Sequence, residues 1–119
     1  MNDATLWPTE IRLDRDKRVI AITYDDGRAE SFDAEYLRVF SPSAEVQGHS
    51  PEQRRLIAGK SRVRIVAIEP IGNYAVRLTF DDGHNTGIFT WDYFGKLARE
   101  RDALWSGYLS ELAQKGLGR

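Results

Sequence analysis

Residues 79–84 read TFDDGH and place two carboxylates, Asp81 and Asp82, within three positions of an imidazole, His84. Those three side chains admit three chemistries. With His49 or Glu45 from the 40–50 loop they would make a metal site of oxygen and nitrogen donors. As an acid–base pair they would need a cleft that separates their pKa values, and nothing in the sequence marks one. As a hairpin turn they would accept backbone hydrogen bonds and let glycine make the reversal. A shorter copy decides between them. TYDDG, residues 23–27, keeps both carboxylates (Asp25 and Asp26) and lacks the histidine. The carboxylates therefore need an explanation that works without an imidazole, and the turn is expected in both places.

Other catalytic patterns are absent. EPIGNY, residues 69–74, has neither the P-loop lysine nor the glycine spacing of a dinucleotide loop. With two histidines in the chain, no Ser–His–Asp arrangement stands out. There is no cysteine, which removes disulfides, thiol catalysis and cysteine-ligated zinc or iron–sulfur sites. No catalytic residue and no cofactor are expected.

The chain has 119 residues, a length that fits one domain, 1–119, with its own core. Seventeen Lys and Arg face 18 Asp and Glu, a net charge of −1. A dedicated nucleic-acid binder would carry a clear positive excess, so nucleic acid is not the expected partner. MNDATLWPTE has no basic segment followed by an apolar run. No window reaches the ~20 apolar residues of a membrane span. A cytoplasmic location is expected.

The elements that hold TFDDGH repeat as well. VIAITYDDG (19–27) and AVRLTFDDG (75–83) alternate apolar and polar residues as strands do. Each is followed by a second β-prone run, AESF (29–32) and NTGIFTW (85–91). Asp-Gly between such runs predicts a two-residue hairpin turn. A helix is expected after each hairpin, capped by Asp33 in the first half and by Thr90 or Asp92 in the second. Between the halves, residues 40–50 read as a loop. Residues 50–59 read as a short helix, with Ser50 as N-cap, Pro51 at its first position, Gln53 closing a capping box and Gly59 ending it. Residues 62–78 predict two strands broken over Pro70–Asn73. A last helix over 102–116 carries Leu104, Tyr108, Leu109 and Leu112 and stops at Gly116. The expected class is α+β: an antiparallel sheet of two hairpin–helix halves, helices on one side, and a C-terminal helix.

YDDG, then YLR (36–38), then IEPIGNYAVRLTFDDGHNTGIFTW (68–91) resemble the N-terminal domain of γ-butyrobetaine and trimethyllysine hydroxylases, also known as the stand-alone DUF971 domain. The likeness spans about residues 8–97. The resemblance implies the fold, and it implies a protein partner, because similar domains are attached to hydroxylases and, in plants, to P-loop scaffolds that deliver iron–sulfur clusters. In the hydroxylases it also implies a structural zinc held by three cysteines and a histidine. Those positions fall here on Ser41, Ser43, Val46 and His84, so three of the four ligands are replaced and the zinc is expected to be lost. In that case residues 41–50 should be more mobile than the sheet, unless Ser41 or Ser43 bonds across to His84.

Two surface features remain. RRLIAGKSRVR (54–64) holds Arg54, Arg55, Lys60, Arg62 and Arg64 with no acid among them. It is either a solvated face balanced from elsewhere or the surface that docks an acidic partner. No aromatic interleaves with these cations, which weighs against RNA. Trp91, Tyr93, Phe94, Trp105 and Tyr108 read first as core and second as a groove, while Trp7 reads as an exposed anchor.

Overall fold

The computed structural model describes residues 7–119. Two three-stranded antiparallel meanders follow one another along the chain, each running into a helix. The first contains β1 (Pro8–Leu13), β2 (Val19–Tyr24) and β3 (Ala29–Asp33), then α1 (Ala34–Val39). The second contains β4 (Ile65–Ile71), β5 (Ala75–Phe80) and β6 (Gly87–Thr90), then α3 (Trp91–Arg99). Between them lie a short helix, α2 (Ala44–Gln47), and a single 3₁₀ turn at Pro51–Gln53. The last helix, α4 (Arg101–Gln114), follows α3 almost directly. The α+β class is as expected, and the strands divide into two sheets in which β2 and β5 are central.

Alternation explains which faces are buried. Ile20, Ile22 and Tyr24 of β2 and Val76, Leu78 and Phe80 of β5 all point into one core. Phe32, Leu37, Phe89, Phe94 and Leu97 close it from the edge strands and helices. Of the aromatics weighed in sequence, Phe94 and Tyr108 are core; Trp91, Tyr93 and Trp105 are half-buried against it. Trp7 is exposed, as expected.

Several expected details move. Both hairpins are three-residue loops, not two-residue ones. Gly27 donates to the Tyr24 carbonyl and Tyr24 to that of Arg28, and Gly83, Phe80 and His84 repeat the pattern. Each loop ends on a glycine in the left-handed region, φ 90° at Gly27 and 91° at Gly83. Pro70 does not break the strands: it sits within β4, opposite Val76, and the turn falls after Ile71. Since β4 is an edge strand, a missing N–H can face outward without loss.

The expected helix over 50–59 shrinks to one 3₁₀ turn, because tertiary contacts take the backbone of the segment that follows it. Arg55 donates its N–H to Val46, and the Ile57 carbonyl accepts the Tyr108 hydroxyl at 2.6 Å. Gln53 caps the backbone N–H of His49 rather than of Ser50. In α3 the Thr90 hydroxyl accepts the Tyr93 N–H and so is the cap, whereas Asp33 precedes α1 without a side-chain bond. On α4, Leu109 turns outward while Tyr108 and Leu112 are buried. Gly116, at φ 66°, ends α4, with Leu117 donating to Leu112 and Gly116 to Ala113. Past it, Arg119 reaches the buried Glu35 carboxylate through two hydrogen bonds.

Candidate functional site

The β5–β6 turn carries the TFDDGH residues, and its geometry assigns each of them. Asp82 Oδ1 accepts the His84 backbone N–H at 3.1 Å, and Asp81 Oδ1 accepts that of Arg64 at 3.1 Å. Asp26 plays the part of Asp82 in the first copy, accepting the Arg28 N–H at 3.0 Å. The second carboxylate of each pair is thus a turn acceptor, as expected, while Asp81 reaches across to the segment before β4.

The second copy adds a cluster. Asp82 Oδ2 lies 2.7 Å from both Arg38 Nε, on α1, and Lys60 Nζ. Burial alone would disfavour the charged carboxylate, but hydrogen bonds from Lys60, the His84 amide and Arg38 outweigh it. They hold the Asp82 pKa at about 2. Arg38 Nη1 is buried and, among the described residues, has no hydrogen-bond partner. Sequence reasoning missed Arg38, although it lies in the YLR segment. Its partner is distant in the chain, and only the fold joins them.

Beside this cluster His84 is buried, its side chain 3% exposed. Its Nε2 lies 2.9 Å from Ser41 Oγ and 3.4 Å from Ser43 Oγ; its Nδ1 lies 3.2 Å from Glu45 Oε1. Burial first, and then the charge of Arg38, push the imidazole pKa below its ordinary 6.5 against the opposing pull of Glu45 and Asp82. A neutral imidazole carries one N–H. Placed on Nδ1 it donates to Glu45, and Nε2 is left to accept the Ser41 hydroxyl. Ser41 is fully buried, and a Cβ on Gly87 would fall 2.5 Å from its Oγ. Gln47 Nε2 donates to the Ser41 carbonyl at 2.9 Å, and Thr86 Oγ1 to Glu45 Oε1 at 3.1 Å. Residues 41–47 are thus fastened to the hairpin, the exception allowed for in the sequence reading.

The four positions matching the hydroxylase zinc ligands fall on this cluster, and they do not fit the metal. Zinc ligands at about 2.0–2.3 Å in a tetrahedron lie roughly 3.3–3.8 Å apart. Ser41 Oγ and His84 Nε2 stand at hydrogen-bond distance instead. Val46 contributes buried hydrocarbon, and the two serines contribute neutral hydroxyls. Among the described residues no group of three or more His, Cys, Asp and Glu could hold a metal ion. His49 is exposed and takes no part in the cluster.

The basic run divides. Arg54 pairs with Glu111 at 3.0 Å, and Lys60 is taken by Asp82. Arg55, Arg62 and Arg64 are exposed, and none has an ion pair among the described residues.

Two consecutive meander–helix halves, with a histidine in the second hairpin clasping the segment after the first helix, define a small α+β domain class. The family model of the γ-butyrobetaine hydroxylase-like N-terminal domain matches residues 11–95, and the chain belongs to that family. Two proteins solved by NMR in solution are similar over nearly the whole chain. One is 41% identical, with a TM-score of 0.83, covering 100% of this chain and 89% of its own. The other is 46% identical, with a TM-score of 0.79, covering 96% and 90%. A DUF971 protein of unknown function from Acidithiobacillus ferrooxidans, solved by crystallography, is 39% identical, with a TM-score of 0.66, over 82% of this chain and 98% of its own. No protein of curated function matches. The helix α4 lies outside the family model but inside the first NMR likeness, which spans the whole chain.

Proposed function

We propose that this protein is a non-catalytic cytoplasmic interaction module that docks on a larger enzyme or on metal-cofactor and iron–sulfur assembly machinery through its basic segment. One observation carries the reading: in a chain of net charge −1, Arg55, Arg62 and Arg64 stand exposed and without ion pairs among the described residues. Unpaired surface cations steer and orient an acidic partner more than they stabilise their own fold. The attachment of similar domains to hydroxylases and cluster-delivering scaffolds supports the choice of partner. No described helix is long and apolar enough to cross a membrane.

The Glu45–His84–Ser41 order is that of an acyl-transfer relay, yet a nucleophilic oxygen must be reached by a carbonyl. Ser41 is sealed behind Gly87. The relay therefore serves as a clip. Proximity biotinylation in cells, with wild type beside an Arg55→Glu/Arg62→Glu/Arg64→Glu variant, tests the docking. The expected result is a partner set recovered by wild type and depleted in the variant. Identical sets would remove the basic segment from the account.

A second reading has its own observation, the convergence of Ser41, Ser43 and Glu45 on His84. It makes the protein a metal or iron–sulfur handler in which His84 Nε2 exchanges the Ser41 hydroxyl for a metal. Stoichiometric metal that disappears in His84→Ala is its discriminating result.

A further inference from the structure

The basic segment does not stand alone in the fold. The Ile65 N–H donates to the Lys17 carbonyl at 2.8 Å, so the β1–β2 turn of the first sheet lies against the start of β4 in the second. That contact brings the turn that holds Arg15, Lys17 and Arg18 against the segment that follows Arg62 and Arg64. All five are exposed, and none has an ion pair among the described residues. Three carboxylates share this surface, Asp14, Asp16 and Asp81, so the five cations leave an excess of two positive charges. Asp14 Oδ1 is occupied by the backbone N–H groups of Arg18 and Val19, at 2.9 and 3.1 Å. Asp81 is occupied by that of Arg64, and Asp16 is the remaining carboxylate.

Lys17 is the residue on which the turn reverses, its N–H donating to the Asp14 carbonyl. Its φ of 64° makes it the one non-glycine residue in the left-handed region among the described residues. Glycine or asparagine would hold that turn at lower cost.

We infer that the β1–β2 turn and residues 62–64 form one composite basic face, and that its partner is an acidic segment of another protein. The inference rests on the docking reading above and extends it to a second element, 14–18, which the 54–64 run does not contain. Charge complementarity selects an anion. No aromatic residue lies in 14–18 or 54–64 to stack on bases, which favours carboxylates over RNA.

The test uses a fluorescein-labelled deca-glutamate peptide, fluorescence anisotropy in low-salt buffer, and four proteins: wild type, Lys17→Glu/Arg18→Glu, Arg62→Glu/Arg64→Glu, and Lys17→Asn. Both double reversals should weaken binding by about tenfold or more. Lys17→Asn should melt no lower than wild type while binding more weakly, which separates lost charge from lost fold. Weakening by the 62/64 pair alone would overturn the composite face and leave the docking reading standing. Weakening by neither pair would overturn both. Tighter binding of a deca-uridylate RNA than of the peptide would overturn the acidic-protein assignment.

Discussion

Replacing Ser41 by alanine isolates the clip that holds residues 41–47. Ser41 is fully buried, and its hydroxyl hydrogen bonds His84 Nε2 at 2.9 Å. The alanine leaves a buried imidazole nitrogen with no donor except the long contact from Ser43 at 3.4 Å. An unmet buried acceptor costs about 1–3 kcal/mol. The void left by a single oxygen is small, so an expected loss of about 2 kcal/mol follows from the hydrogen bond alone. Ser43→Ala removes only the longer contact and should lose less than about 1 kcal/mol. Urea denaturation followed by tryptophan fluorescence measures both, at an unchanged m-value. Amide exchange should quicken over 41–47 in Ser41→Ala while β5 keeps its protection. Equal costs for the two alanines, or a Ser41→Ala cost below about 0.5 kcal/mol, would refute the reasoning.

Asp82 and His84 give the stability a pH dependence of predictable sign. Asp82 falls from 3.8 to about 2 on folding, so its contribution is present above pH 3.8 and is lost as pH falls through about 2. Discounted for solvent screening of a partly exposed residue, that is on the order of 1 kcal/mol. Asp82→Asn should start less stable at neutral pH and show a flatter acid limb; parallel limbs would contradict the Arg38–Asp82–Lys60 cluster. His84 is shifted the other way relative to its charge. Its folded pKa lies below 6.5, so the unfolded chain binds the proton more readily and stability falls as pH drops below 6.5. NMR of the imidazole nitrogens should show a neutral ring protonated on Nδ1 at pH 7, titrating below 6.5. Titration at or above 6.5 would contradict the buried, Arg38-facing environment.

Much of the frame was legible because strand alternation is a local signal. VIAITY buries every second residue, AVRLTF does the same from Val76 on with Ala75 buried as well, and the glycine ending each DDG loop marks its turn. β1 was harder to see. PTEIRL offers only two large apolar residues, and its pairing with β2 is what makes it a strand. Residues 50–59 misled because capping residues state only a local preference. Contacts from Val46 and Tyr108 to Arg55 and Ile57 override it. The site was half legible. His84 and the positions of Ser41 and Ser43 could be placed beforehand, along with Glu45 as a possible neighbour. Arg38 and Lys60 meeting on Asp82, and Lys17 meeting Ile65, depend on packing between segments distant in the chain, which no local pattern encodes.

In the docking reading proposed above, His84 is a hydrogen-bonding clip and the exposed cations carry the function. Native mass spectrometry of protein purified without oxygen, beside His84→Ala, tests it most directly. Both proteins should show the metal-free mass. A stoichiometric zinc or iron in wild type that vanishes with His84 would contradict the clip and make metal handling the leading reading.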